Sequence, residues 1–569
     1  MKKILELCIL AVGMIACTEQ NTPVNPSSGG GTDSTSTVIP SDTTIATTDT
    51  IRITWNGASA TIEGAHDGVS VADNNGYVNV VSTVKDITYI LSGNGNGSLH
   101  IEGTNRHQLI LSDLNLSCSD GPAINNQCHK KCYIVLEGTN TLTDGTTYAS
   151  STEDRKAAFF SEGQMIFSGG GILTVKGNYK HALASDDYIQ FAQSTGSLNL
   201  TAASDGIHAN DGLYFDGGTF SISAGSDGVQ CDSNIIVNNG ILTITAEADG
   251  IQSDTAGIFI NGGAITITKA GDKGITAFGD ITITDGTIRV TSQYKCLKAG
   301  KAESTSTGWQ TKKTIISAGN ITINGGDIQC ICTGTSSSEG GPGGGGRPGD
   351  NSSSDSSTPE GIEAKGTITI NGGKVYVQAS DDAINSAGVM TINGGYVCAY
   401  STSNDGLDAN ADLYINGGVV YAIGAGGAEK SIDALEGCTL YVKGGTLFCI
   451  GDLESGASLQ QACYSVSSWN ASTWYALTVG NETIVFKTPT NTSTSSGGHG
   501  PGGGGSNRTL VVSGASKPTL TSGVTVNGGT SIFNGMAVLN ASVSSGSNVS
   551  LSSYTPSTQG LGGGGGWGL

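Results

Sequence analysis

The sequence predicts an all-β chain built around a parallel β-helix, a solenoid of about 22 to 23 residues per coil, closed by a β-rich C-terminal tail. Three observations predict it. The phrase SDGIHAND at 204–211 returns as SDGVQCDS and then ADGIQSDT, each 22 positions further on. A second phrase, seen as INGGAITIT, INGGKVYV and INGGYVCA, falls between such repeats. Finally, Ile, Leu, Val and Thr alternate with other residues at period 2 through most of the chain, which is strand and not helix patterning.

Aligned on its aliphatic residue, the first phrase runs through Ile207, Val229, Ile251, Ile275, Leu297, Ile362, Ile384, Leu407 and Ile432. Two residues on stand only small side chains: Ala209, Cys231, Ser253, Ala277, Ala299, Ala364, Ser386, Ala409 and Ala434. Between them are only polar ones: His208, Gln230, Gln252, Thr276, Lys298, Glu363, Asn385, Asp408 and Asp433. Successive strand side chains face opposite ways, so this is a short strand with an inward aliphatic, an outward polar and an inward small residue. Cys231 then belongs to the interior stack and is not a reactive thiol. The glycines of the second phrase supply left-handed backbone at a turn between two further strands, giving about three strands and three turns per coil.

Looser coils, such as YILSGNGNGSLHIEG and MIFSGGGILTVKGN, extend the pattern upstream, so 51–465 reads as one core. The long step from Leu297 to Ile362 is explained by insertions at 301–313 and 333–358. Residues 466–569 form a strand-rich tail with a Gly-rich insertion at 491–507, suited to covering the open end of a stack. At the other end, Lys2 and Lys3, an apolar run and Met14-Ile15-Ala16-Cys17 resemble a bacterial lipoprotein signal, with Cys17 lipidated. An ordinary cleaved signal peptide is the other reading, and Glu6 interrupts the apolar run. Residues 18–50 are nearly all Ser, Thr, Pro, Asn, Gly and Asp and read as a flexible tether. The expected location is therefore an outer membrane or cell surface, with the membrane reached only through the lipid.

Composition narrows the partners. A net charge of -21 repels nucleic acid and anionic headgroups. Thirteen cysteines, scattered in spacing, do not form a disulfide framework, and Cys128-His129-Lys130-Lys131-Cys132 fits no zinc spacing well. A monomer is expected.

Two residues before each aliphatic stand Asp205, Asp227, Asp249, Lys273, Lys295, Glu360, Asp382, Asp405 and Lys430. Two readings of the aspartates stay open. Asp before Gly caps its own turn well. Alternatively, acids from neighbouring coils hold calcium, which takes several oxygens about 2.3 to 2.6 Å away. A second column with Asp232 and Asp254 favours the calcium reading, and Asp205, Asp227, Asp232, Asp249, Asp254 and Asp272 are the candidate cluster. Lys273, Lys295 and Lys298 follow and suit the carboxylate of an anionic sugar, or simply neutralise the acids.

The stretches ITYILSGNGNGSLHIEG, LILSDLNLS, IVLEGTNTLTDG, GGGILTVKGN, HALASDDYI and SDGIHANDGLYFDGGTFSISAGSDG together resemble the bacterial carbohydrate-binding β-helix domain, a relative of calcium-dependent pectate lyases. The resemblance covers roughly 51–465 and implies a right-handed β-helix that binds acidic plant cell-wall polysaccharide, pectin in particular, with calcium held by aspartates. It implies no catalytic residue. The polyglycine insertions and the tether depart from the family pattern. Three functions follow as alternatives: a surface-anchored polysaccharide-binding protein, a calcium-dependent polysaccharide lyase with Lys273 or Lys295 as base, and an adhesin whose ladder is turn chemistry alone. Facing carboxylates on adjacent coils leave a glycosidase open as well. The aromatic residues Trp309, Trp469 and Trp474 do not decide among them.

Overall fold

Short β-branched strands separated by glycine turns have nowhere to bury their inward faces except against the next coil, and that is the architecture observed. The computed structural model describes residues 45–46, 49–307, 310–335, 358–426, 429–466, 468–490 and 509–557. The leader with Cys17, nearly all of the tether, Trp309 and most of the Gly-rich insertions lie outside the described residues. Within them the chain is all-β, with one short 3-10 turn at Phe533–Gly535. No helix among them is long and apolar enough to cross a membrane.

The solenoid has three faces. The first is a 15-stranded sheet that contains Ile207–Ala209, Val229–Cys231, Ile251–Ser253 and their successors to Ile432–Ala434. Its register is that of the repeat: His208 opposes Gln230, Gln230 opposes Gln252, and so on to Asp433. The second face stacks strands such as Leu213–Phe215 in the segment Gly212–Phe215, Ile235–Val237 and Ile258–Ile260, and the third the longer strands Thr219–Ala224, Ile241–Ala246 and Ala264–Ala270. All these pairings are parallel.

The core is the inward stack. Ile207, Ala209, Val229, Cys231, Ile251 and Ser253 are buried while His208, Gln230 and Gln252 are not, as the alternation requires. Phe167, Phe191 and Phe215 stack at 5.1 Å between successive centroids, and Phe220 meets two of them edge-on. Identical side chains also stack outside. The asparagines of the INGG phrase form a ladder, each Nδ2 donating to the Oδ1 of the preceding coil at 2.8 Å from Asn371 to Asn416. The glycine two residues later is left-handed in each case, with φ 84 at Gly373, 80 at Gly395 and 81 at Gly418, so the turn needs a residue without a Cβ.

Asp-Gly of the first phrase has a different reason for its glycine. Gly228 is not left-handed, but a Cβ there would lie 2.3 Å from Cγ2 of Ile244 and 2.6 Å from the carbonyl oxygen of Gly250. Close approach of the next coil, not torsion, demands the glycine.

The ends of the stack are covered by antiparallel strands. Val69–Asn74 pairs with Tyr77–Ser82 at the start of the first face, and Thr50–Gly57 pairs with Ala60–Glu63. At the far end Leu510–Ser513 pairs antiparallel with both Thr446–Ile450 and Cys463–Val466. Beyond it a six-stranded antiparallel sheet centres on Trp474–Val479 and Glu482–Lys487, with Tyr475 and Phe486 buried. The insertion expected as a plain loop at 301–313 is a hairpin, Lys301–Thr307 against Gln310–Ser317.

Replacing Gly228 with Ala is expected to destabilise the chain by about 1–3 kcal/mol through overpacking against the neighbouring coil. Thermal unfolding of G228A checks this, and an unchanged midpoint would show that the coils can part to admit a methyl group.

Candidate functional site

The first face carries two parallel columns of polar side chains, one on each side of the strand's buried aliphatic residue. The column at the turn begins one coil earlier than the repeat suggested, at His181, which stands opposite Asp205 because Leu183 pairs with Ile207. Here the aspartates do a backbone task. The N–H of Asp227 donates to Oδ1 of Asp205 at 3.2 Å, that of Asp249 to Oδ1 of Asp227 at 2.8 Å, and that of Lys273 to Oδ1 of Asp249 at 2.7 Å. The pattern resumes downstream, where Asp405 N–H donates to Oδ1 of Asp382 at 3.0 Å and Lys430 N–H to Oδ1 of Asp405. Each aspartate thus caps the turn of the following coil rather than its own. The parallel stack places the equivalent N–H one coil along the axis, within reach of a short carboxylate.

Stacking acids in this way has an electrostatic cost. Burial pushes the Asp227 carboxyl up to about 7, and the charges of Asp249, Asp205 and Asp254 add to it against the bond from Asp249 N–H. Burial likewise pushes Asp249 up to about 6, with Lys273 opposing. Asp205 goes the other way. Burial raises it, but bonds from His181 and His208 prevail and hold it well below the usual carboxylate range.

The six aspartates expected to gather round calcium divide as follows. Asp205, Asp227 and Asp249 form the ladder. Asp232 is exposed, and Asp254 accepts hydrogen bonds from Gln230 and Gln252. Asp272 Oδ2 pairs with Lys273 Nζ at 2.6 Å. Among the described residues, three groups bring three ligand atoms within 4.8 Å of one another: His181, Asp205 and His208; His100, Glu102 and Glu153; and Asp405, Asp408 and Asp433. Asp205 alone of the six belongs to one of them.

The lysines require a correction. Lys295 was expected to meet a sugar carboxylate, yet it is fully buried; its Nζ lies 2.8 Å from Glu360 and donates to Thr358. Lys298, expected to point outward into solvent, is also buried, beside the buried Glu363 and Lys365. A buried charge is retained only with opposite charges around it, and these residues form such a network. Lys273 keeps partial exposure but is engaged with Asp272 and, at 3.8 Å, Asp249. The base needed for elimination chemistry is therefore not free at Lys295. The cysteines are free thiols among the described residues, and burial pushes Cys231 up to about 12, as befits an interior stack member.

Sequence reasoning missed the strongest oxygen-only group. Asp405 of the turn column and Asp408 and Asp433 of the outward column converge, with Glu429 and Glu454 near. Burial pushes Asp405 up to about 8, with Asp433, Glu429 and Asp408 adding charge. Burial and then Asp433, Asp381 and Glu429 push Asp408 up to about 7. Burial and Glu454 push Asp433 up as well. Lys430 opposes the rise at Asp433, and its N–H opposes the rise at Asp405. An all-oxygen set of this kind is the donor chemistry a hard cation such as calcium takes. The alignment that placed Asp408 and Asp433 in register was the available signal.

The fold and this face place the chain among solenoid proteins with a long polar face, and the comparisons specify the class. A family profile described as carbohydrate-binding domain-containing protein matches residues 74–309 and 272–406, more than half of the chain. The chain belongs to that family. A solved structure, titled as the polysaccharide lyase-like protein from C. thermocellum, gadolinium derivative, is similar at 20% identity and a TM-score of 0.29, covering 50% of this chain and 95% of that one. No curated protein matches the chain.

The raised carboxyls set a pH dependence. In the folded state Asp227, Asp405 and Asp408 titrate near 7 to 8, against about 3.9 when unfolded. Between those limits the folded chain holds more protons, so its stability falls as pH rises. Buried His181 and His107, held low by burial, have the opposite slope, but only below about pH 6.5. In chelator, the thermal midpoint should therefore drop from pH 6.5 to 8.5, and D227N, which keeps the Oδ1 acceptor, should lessen the drop. A flat midpoint would mean that the ladder carboxylates ionise normally.

Proposed function

We propose that this chain is a surface-held polysaccharide-binding protein whose first face receives an acidic glycan of the polygalacturonate class through calcium. The observation that carries the reading is membership of the carbohydrate-binding family together with an outward polar column on that face, partly exposed from His208 to Thr276 and again from Asn385 to Asp433 and interrupted by the buried Lys298 and Glu363. Coils repeat about every 4.8 Å, so a linear polymer laid along either partly exposed stretch meets a hydrogen-bonding side chain at each step. An acidic polymer approaching a chain of net charge -21 needs a bridging cation. Asp405, Asp408 and Asp433 are the residues that would hold calcium, and calcium would supply positive charge to a uronate carboxylate. Cys17 would carry the lipid that holds the face outside a membrane, and the chain would act as a monomer without nucleic acid.

Residues 42–569 form the compact unit to use. Its migration in gels containing polygalacturonate, with calcium or with chelator, is the test, with ultraviolet absorbance followed in parallel. Retardation is expected with calcium and is lost in chelator, absorbance stays flat, and the double variant D408N/D433N loses at least about tenfold in affinity, ~1.4 kcal/mol. Equal migration under both conditions would sink the calcium-bridged reading. Rising absorbance from unsaturated uronates would establish a lyase instead.

A further inference from the structure

The ladder begins with a departure from its own chemistry. At the first rung the acceptor is not an aspartate but His181, whose Nδ1 receives the N–H of Asp205 at 3.3 Å. Three residues beyond Asp205, the outward column begins its polar run with His208. The two imidazoles stack, with centroids 4.5 Å apart and planes at 23°. Both turn Nδ1 toward one atom: Oδ2 of Asp205 lies 3.0 Å from Nδ1 of His181 and 3.3 Å from Nδ1 of His208. The three ligand atoms lie within 4.8 Å of one another.

The spacing is informative. Tetrahedral ligands about 2.0–2.1 Å from a zinc ion stand roughly 3.3 Å apart; the two nitrogen to oxygen distances, 3.0 and 3.3 Å, lie close to that value. Nδ1 of His181 with a free lone pair accepts the Asp205 N–H but opposes the carboxylate; carrying a proton or a metal, it faces Oδ2 favourably and gives up the N–H contact. A metal or a proton must stand between the nitrogens and Oδ2.

The support around the group favours a metal. Asp205 and His181 are buried, 5% and 7% exposed. Oδ1 of Asp205 is fixed by Asp227 N–H at 3.2 Å and by Ser204 Oγ at 3.3 Å, which aims Oδ2 at the imidazoles. Outer partners of this kind orient ligands at metal sites. Two imidazoles and one carboxylate suit zinc-class ions, whereas the oxygen-only group at Asp405, Asp408 and Asp433 suits calcium. His208 is partly exposed on the outward column, so the side of the group away from the core is open.

We propose that His181, Asp205 and His208 bind a divalent transition metal of the zinc class, leaving one coordination position for water or a sugar oxygen. This site is independent of the calcium reading, and it stands on the same face seven coils from Asp405 in the order of strands.

Untagged protein spanning 42–569 is stripped with chelator and titrated with Zn2+ by calorimetry in excess Ca2+, and Co2+ is used as a spectroscopic probe. We expect about one equivalent of zinc and the intense visible bands of four-coordinate cobalt. Both are weakened at least tenfold in H208Q and retained in D408N/D433N and in H100Q. H208Q is the deciding variant because its side chain is partly exposed and makes no backbone rung; thermal unfolding confirms that it folds, and H181Q is read only if it folds too. Zinc binding that survives H208Q, that is lost in H100Q instead, or that is absent from the wild-type chain overturns the proposal.

Discussion

The first face is organised by one recurring bond, the backbone N–H of a turn donating to the aspartate of the coil before it, made on both sides of the Lys295 region. Buried backbone groups must find partners, and in a parallel stack the turn residue has no strand opposite it to supply one. Asp205, Asp227, Asp249, Asp382 and Asp405 meet the need by reaching one coil forward. The glycine that follows lets the next coil approach closely enough for the reach to succeed.

That solution creates the electrostatics of the protein. A residue type chosen as a hydrogen-bond acceptor brings a charge, and stacking repeats it every coil. The chain answers in three ways along one face. At Asp205 two histidines surround the carboxylate. In the middle, Lys295 with Glu360 and Glu363 substitutes a buried ion-pair network for the acid column. Near the end, Asp405, Asp408 and Asp433 crowd together and their carboxyls are raised, with Lys430 opposing the rise at Asp405 and Asp433. The electrostatic character of the face thus changes along its length with the partner each carboxylate is given.

The repeat made the strand positions legible. Ile207, His208 and Ala209 were assigned inward, outward and inward from period alone, because in a strand the side-chain direction follows from sequence parity. The same parity misplaced Lys298, whose outward position is buried by neighbours 65 residues away in the chain. His181 was hidden for a simpler reason: its coil lacks the Asp-Gly text, and only the pairing of Leu183 with Ile207 puts it in the ladder.

Periodicity by itself determined the parallel β-solenoid, the inward and outward columns, the stacking register and the existence of an acid ladder, since these depend on spacing that the chain carries locally. Only the tertiary structure decided what each carboxylate does. Whether Asp205 faces two imidazoles, Asp227 a single N–H, or Asp405 two other acids depends on residues from adjacent coils and on the burial they impose. Hydrogen-bond direction and desolvation are properties of the stack, and no single coil contains them.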